Sequence, residues 1–273
     1  MNTLYHSPFS VSSQKVRMAM AEKNLVWEDK IIDLLAGEHL HPEFKTLNPR
    51  SEVPILVVDG NTHLDSSLIL EFLEDSYPDA PLFPDSIEGR YHARFWSNWV
   101  DRSLHAASGI ITYAILARPL ILQKPPEVVD ALLQSLPDTA VRTWRSNVLE
   151  YGLEASEVKD SIIQHILFFD KLESCLTGAY SWLVGDCFSI ADITVFPYVM
   201  RAEHVGLGDL MTFESYPNTR SWYLRMMSRP SMQPAFLKYF DNDVQELLMN
   251  LVGAAQPQMV DLLAGIKNLY IYQ

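Results

Sequence analysis

Short apolar runs alternate with amphipathic stretches in the first third of the chain, and only helical periodicity is visible after it. Thr3-Leu4-Tyr5 reads as a first strand, and Ser7-Pro8-Phe9-Ser10 as a turn cluster. From Ser12 or Ser13 the pattern turns helical. Val16, Met20 and Ala21 share one face, and Lys15, Arg17, Glu22 and Lys23 are expected outside it. Residues 25–34 carry Val26, Ile31 and Ile32 and read as a second strand, parallel to the first through the helical crossover. A loop from Gly37 to Pro42 enters a short helix that ends near Asn48-Pro49. Two more strands flank Asp59-Gly60, a tight-turn signal. Asp65-Ser66 then opens an amphipathic helix to about Tyr77 in N-cap position. The order is βαβαββα.

Residues 77–85 form a Pro-rich break, read as the boundary between a domain at 1–79 and a helical domain at 86–273. A long helix is expected over 90–116, carrying Trp96, Trp99, Val100, Leu104 and Tyr113. Residues 118–152 contain Pro119, Pro125, Pro126 and Pro137 and predict short helical pieces and loops. Residues 155–176 read as a clean helix, with Ile162, Ile166, Phe169, Leu172 and Leu176 at three- and four-residue spacing. Further helices start at Ser189 and after Tyr216-Pro217. Residues from about 241 to 273 add one or two amphipathic segments, 244–252 and 259–266. The fold class is α+β: a small sheet with helices, then an all-helical part.

The order around residues 51–72 makes a site. Pro54 stands second in the apolar run Val53 to Val58. It gives no N–H to a ladder, so it marks the start of an edge strand or a cis bond in a bend. A residue before such a bend turns its backbone N–H and C=O outward. The helix opening at Asp65-Ser66 offers unpaired N–H groups and partial positive charge. Together they can hold an extended peptide at one end and its carboxylate at the other.

Composition narrows the partners. A net charge of −13, with Lys and Arg scattered singly, disfavours nucleic acid and anionic membrane. No run of about 18 apolar residues suggests a membrane span, and MNTLYHSPFS lacks the features of a signal peptide. Cys175 and Cys187 form neither a disulfide framework nor a C-x-x-C, which points to a reducing, cytoplasmic compartment. His105 and His165 have no partner at metal-ligand spacing, so no metal is expected.

The segment NPRSEVPIL followed by DSSLILEFL resembles the glutathione-binding signature of the glutathione transferase family. The resemblance spans roughly residues 3–230. Ser189-Ile190-Ala191-Asp192 after Phe188, a capping box, is similar to the family's buried folding motif. It implies a thioredoxin-like N-terminal domain, an all-α bundle after it, and glutathione as co-substrate. Val53 and Pro54 would receive the cysteinyl part, and Asp65 and Ser66 the γ-glutamyl part. His39 resembles the glycyl-carboxylate contact of theta-type members. Glu52 departs from the family's Lys, Arg or Gln, with Arg50 or Lys45 to compensate.

Glutathione chemistry needs a thiolate, and a free thiol has a pKa of about 8.5. Lowering it two units takes about 2.7 kcal/mol. A hydroxyl donating to the charged sulfur supplies roughly 1.5–3 kcal/mol, and a helix N-terminus about 0.3–2. In serine-type members the activating residue matches Ser10, six before the Val of Lys15-Val16-Arg17. In the bacterial β-aryl-etherase branch it matches Ser13. No Cys lies near these serines, which argues against mixed-disulfide chemistry. The acceptor pocket is expected to use Trp99, Ser103 and Tyr113, with Trp144 a further candidate. Trp99-Val100-Asp101 and Trp144-Arg145 look like the etherase branch. The resemblance therefore implies a cytoplasmic, homodimeric detoxification enzyme whose glutathione thiolate attacks a hydrophobic electrophile. The alternatives are a glutathione-dependent ether-cleaving or dehalogenating enzyme and a non-catalytic interaction protein on the same fold.

Overall fold

Strand β1 (Asn2–His6) lies inside a four-stranded sheet of order β2-β1-β3-β4. β2 (Trp27–Ile31) pairs with it in parallel. β3 (Ile55–Val58) and β4 (Asn61–Leu64) form an antiparallel hairpin, with β3 antiparallel to β1. The hairpin turns at Asp59 and Gly60, both at positive φ (49° and 83°), the twist that a tight two-residue turn requires. The structure is a computed structural model and describes residues 1–177, 180–208 and 214–271.

Register decides where the loops gather. Tyr5 stands opposite Ile55, and Ile55 opposite Leu64. The exits of β1 and β4 and the entry to β3 therefore share one end of the sheet. Helix α1 (Val11–Glu22) leaves from that end, and α3 (Ser66–Ser76) starts there directly after β4. Between β2 and β3 lies a short α2 (Pro42–Leu47). Leu4, Val16, Met20, Leu56, Ile69 and Leu73 are wholly buried between sheet and helices. Each such side chain stabilises the fold by about 1.5–3 kcal/mol.

The remaining chain is helical. One continuous run contains α4 (Ile87–Trp99), a π-helical turn at Val100–Leu104, α5 (His105–Thr112), a second π-turn at Tyr113–Ala117, and α6 (Arg118–Ile121). Then follow α7 (Pro126–Gln134), α8 (Thr139–Tyr151), α9 (Ser156–Cys175) and α10 (Ile190–His204). The chain ends with α11 (Pro217–Met227), α12 (Met232–Ala235) and α13 (Asn242–Ile271). This is the expected α+β architecture, a thioredoxin-like sheet followed by helices. Two compact units emerge: Met1–Val100 with Cys175–Val199 and Ser221–Asp241, and Asp101–Ser174 with Met200–Arg220 and Asn242–Gln273.

Two readings of the pattern need correction. Lys15, Arg17 and Lys23, expected outside, are buried. Arg17 donates from Nε to the Ala235 carbonyl (2.7 Å) and from Nη2 to Pro8 O (2.9 Å), so α1 is wrapped on its polar side as well. Lys23 is matched by Glu74 at 2.7 Å. The one or two amphipathic segments expected near the C-terminus are a single helix that runs through Pro257. The run Ile87–Ile121, 35 residues long, is apolar enough by length and composition to cross a membrane, but half of its most apolar window is buried inside the protein. A soluble core helix has the same character.

Two buried histidines set a pH dependence. In the first unit, burial and then the Arg17 charge push His6 down to about 4. Arg17 Nη1 donates to its Nδ1, and its Nε2 faces Asp29 at 2.9 Å. In the second unit, burial pushes His165 down to about 4, with Nδ1 donating to Ser161 O. Both folded values lie below the unfolded one, so the folded form binds fewer protons. The stability contributed is whole above pH ~6.5 and is lost as pH falls toward 4, on the order of 3 kcal/mol for each. An NMR titration of the imidazoles should find both midpoints near 4; a midpoint near the ordinary 6.5 would contradict this burial.

Candidate functional site

Ser10 ends the turn after β1 and caps α1, its Oγ accepting the Ser13 N–H at 3.2 Å. The hydroxyl is half-buried, and its own proton remains available to an acceptor. The turn is held from beneath, because Arg17 donates to the carbonyls of Ser7 and Pro8. Ser13 is placed differently. It is fully buried, and its Oγ has no hydrogen-bond partner among the described residues.

Asn48 shapes the entry to β3. Its side chain donates to Glu52 O (2.9 Å) and accepts from Arg50 N (3.0 Å). Val53 and Pro54 follow, joined by a cis peptide bond, and the ladder with β1 begins at Ile55. Val53 is half-buried and Pro54 buried. Arg50 neutralises Glu52 through a 2.7 Å ion pair, as the departure at that position demands. The pair is exposed and contributes about 0–1 kcal/mol.

Asp65 has φ 68° and ψ 117°, left-handed backbone outside the ordinary helical well. Such a conformation costs about 1–3 kcal/mol and concentrates at ligand clamps. One carboxylate oxygen, Oδ1, accepts the N–H groups of Ser67 (3.0 Å) and Leu68 (3.3 Å). The other has no partner among the described residues. Ser66 is the first residue of α3 and is half-buried. Lys15 Nζ meets Ser67 Oγ at 3.4 Å, tying the entrance of α1 to that of α3. Sequence periodicity missed Lys15, since nothing local signals that a helix's polar face will be covered.

Ser10, Val53, Pro54, Asp65 and Ser66 thus gather at one end of one sheet. The end combines a hydroxyl, peptide groups just outside the ladder, a carboxylate and a helix N-terminus. It can take a zwitterionic, extended peptide, with the ammonium at Asp65 and a carboxylate at the start of α3. His39 is buried in the short 3₁₀ turn Glu38–Leu40. Trp99, half-buried and edge-on to Trp96 at 5.9 Å, belongs to the first unit. Ser103 and Tyr113 belong to the second, each in a π-turn. Among the described residues no cluster of His, Cys, Asp or Glu could hold a metal.

The Ser189 motif is structural. Asp192 is fully buried and accepts from Ser189 N (2.9 Å), Leu183 N (3.1 Å) and Trp222 Nε1 (2.8 Å). Burial pushes its carboxyl up to about 6 against these donors.

Residues 7–76 match the model of the glutathione S-transferase N-terminal domain, and residues 168–225 that of the C-terminal domain. A probable maleylacetoacetate isomerase of Caenorhabditis elegans is 33% identical over 204 residues, 75% of this chain and 80% of that protein. Glutathione S-transferase TCHQD of Arabidopsis thaliana is 26% identical over 250 residues, 87% of this chain and 90% of that one. The crystal structure of the beta-etherase LigF from Sphingobium sp. strain SYK-6 superposes with a TM-score of 0.79 at 25% identity. It covers 87% of this chain and 99% of that one.

Proposed function

Because this chain belongs to the glutathione S-transferase family, we propose that glutathione is its co-substrate and that Ser10 holds the thiolate. It is an enzyme of the glutathione transferase kind. The observation that carries the site assignment is Asp65: an exposed, backbone-strained carboxylate capping α3, with one oxygen committed to the cap and one open. The open oxygen suits the γ-glutamyl ammonium, and Ser66 with the N–H groups of α3 suits its carboxylate. Backbone groups of Val53 beside Pro54 suit the cysteinyl peptide. His39 is the proposed contact for the glycyl end.

Ser10 donates its proton as a hydrogen bond to the sulfur, and the first turn of α1 adds positive potential. The sulfur lone pair forms a C–S bond to an electrophilic carbon. Where the carbon carries an aryloxide or halide, that group departs with the bonding pair. The likeness to LigF and to the etherase-type position of Ser13 supports aryl-ether cleavage as a second reading. Residues 1–79 would carry glutathione and residues 86–273 the hydrophobic co-substrate, with Trp99, Ser103 and Tyr113 as its contacts. A cytoplasmic, homodimeric detoxification enzyme fits this reading.

A thermal melt tests it. Glutathione at about 100 times its dissociation constant adds about 2.7 kcal/mol of stability. The expected result is a clear rise in Tm that Asp65→Ala abolishes. No rise in the native chain would overturn the assignment.

A further inference from the structure

Arg145 of α8 differs from its neighbouring arginines in the second unit. Arg118 donates to Leu149 O, Arg142 to Leu136 O, and Arg220 to Glu203. Arg145 has no hydrogen-bond acceptor and no carboxylate among the described residues, and its Nε is fully buried. Its guanidinium lies 5.2 Å from the ring centre of Tyr113 and 5.4 Å from that of Trp144. The two rings meet edge to face at 5.4 Å. Tyr113 is itself almost wholly buried, and its hydroxyl has no protein partner among the described residues. It begins the π-turn Tyr113–Ala117, in which the Arg118 N–H reaches back to the Tyr113 carbonyl. Such wide turns recur at functional sites.

A half-buried cation without a counter-charge is destabilising, and two ring faces offset only part of that cost. Burial raises the Tyr113 phenol above its ordinary value, so the hydroxyl stays protonated and can donate. Burial lowers Arg145, which nevertheless stays charged. A cationic fork, a neutral donor and an indole wall therefore converge with nothing to bind among the described residues. One guanidinium and one hydroxyl match the donor needs of a single carboxylate. A phosphate dianion would need more cations, in a chain of net charge −13.

We propose that Arg145, Tyr113 and Trp144 form a binding site for the carboxylate of an aromatic or conjugated acid, and that the electrophile carries such a group. The second clause rests on the transferase reading above; the first does not.

The test uses the full chain without glutathione, so its outcome is independent of glutathione binding. Calorimetric titration with cinnamate, cinnamamide and inorganic phosphate is compared across native protein, Arg145→Met, Arg145→Lys and Tyr113→Phe. Cinnamate should bind the native chain, and Arg145→Met should weaken it at least tenfold. Cinnamamide should bind both equally and less tightly, Arg145→Lys should retain part of the preference, and phosphate should not compete. Arg145→Met should melt no lower than native, because it removes an unpaired charge. Undiminished cinnamate binding in Arg145→Met would overturn the proposal. So would equal affinity for cinnamate and its neutral amide, cinnamamide, in the native chain, absent cinnamate binding, or phosphate binding more tightly than cinnamate. If Arg145→Met fails to fold, Arg145→Lys and Tyr113→Phe decide: unchanged cinnamate affinity in both overturns it.

Discussion

Glu74→Ala should destabilise the protein by about 3–5 kcal/mol, a large share of what holds a domain of ordinary stability together. Glu74 projects from α3 and is buried. It accepts from Lys23 Nζ (2.7 Å), from Leu82 N (2.9 Å) and from Phe83 N (3.1 Å). Lys23 also donates to the carbonyls of Tyr77 (2.9 Å) and Ala80 (2.8 Å). Burial alone would raise the Glu74 carboxyl, but Lys23 and the two backbone donors outweigh it and hold it below its ordinary value. The substitution strands the Lys23 charge and orphans two amides, each costing about 1–3 kcal/mol. A urea titration reads the loss directly. Adding Lys23→Met to Glu74→Ala should recover part of it, since the stranded charge goes. A loss under 1 kcal/mol would show that the pair is not desolvated as the geometry requires.

Ser10→Ala should lower kcat/KM for glutathione conjugation by roughly 10- to 100-fold, the rate equivalent of about 1.5–3 kcal/mol. It should also cost about 1 kcal/mol of stability, because the cap on Ser13 N–H is lost. Ser13→Ala makes the comparison informative. Its hydroxyl is buried without a partner among the described residues, so removing it should leave stability unchanged or higher. Activity should stay within a few-fold of native. If Ser13→Ala instead abolishes turnover while Ser10→Ala retains it, the etherase-type assignment replaces this one.

Local signals made much of the first unit legible. The Asp59-Gly60 turn and the N-cap at Asp65 are each fixed within four or five residues, and the structure contains both. Antiparallel pairing of a hairpin whose turn is known leaves little freedom of register. That is why Val53, Pro54, Asp65 and Ser66 could be grouped from sequence.

Long-range burial was not legible. Lys15, Arg17 and Lys23 look solvated by periodicity, yet each is covered by chain 50 or more residues away, Ser67, Ala235 and Tyr77 among it. Whether the C-terminal segment was one helix or two stayed open in the sequence, because Pro257 suggests a break where propensity on either side carries the helix through. Beside Trp144, Arg145 carried only a likeness to the etherase branch and no sign of its missing counter-charge. An unpartnered cation is a property of what surrounds it, which no local pattern records.

The most direct measurement is the ultraviolet absorbance of the glutathione thiolate in complex with the protein, titrated with pH. If the hydroxyl of Ser10 and the entrance of α1 stabilise the charged sulfur, the midpoint should fall from about 8.5 to about 7 or below. Ser10→Ala should return it most of the way. A midpoint left at the free-thiol value in the native complex, or a full shift that survives Ser10→Ala, would contradict the role given to Ser10.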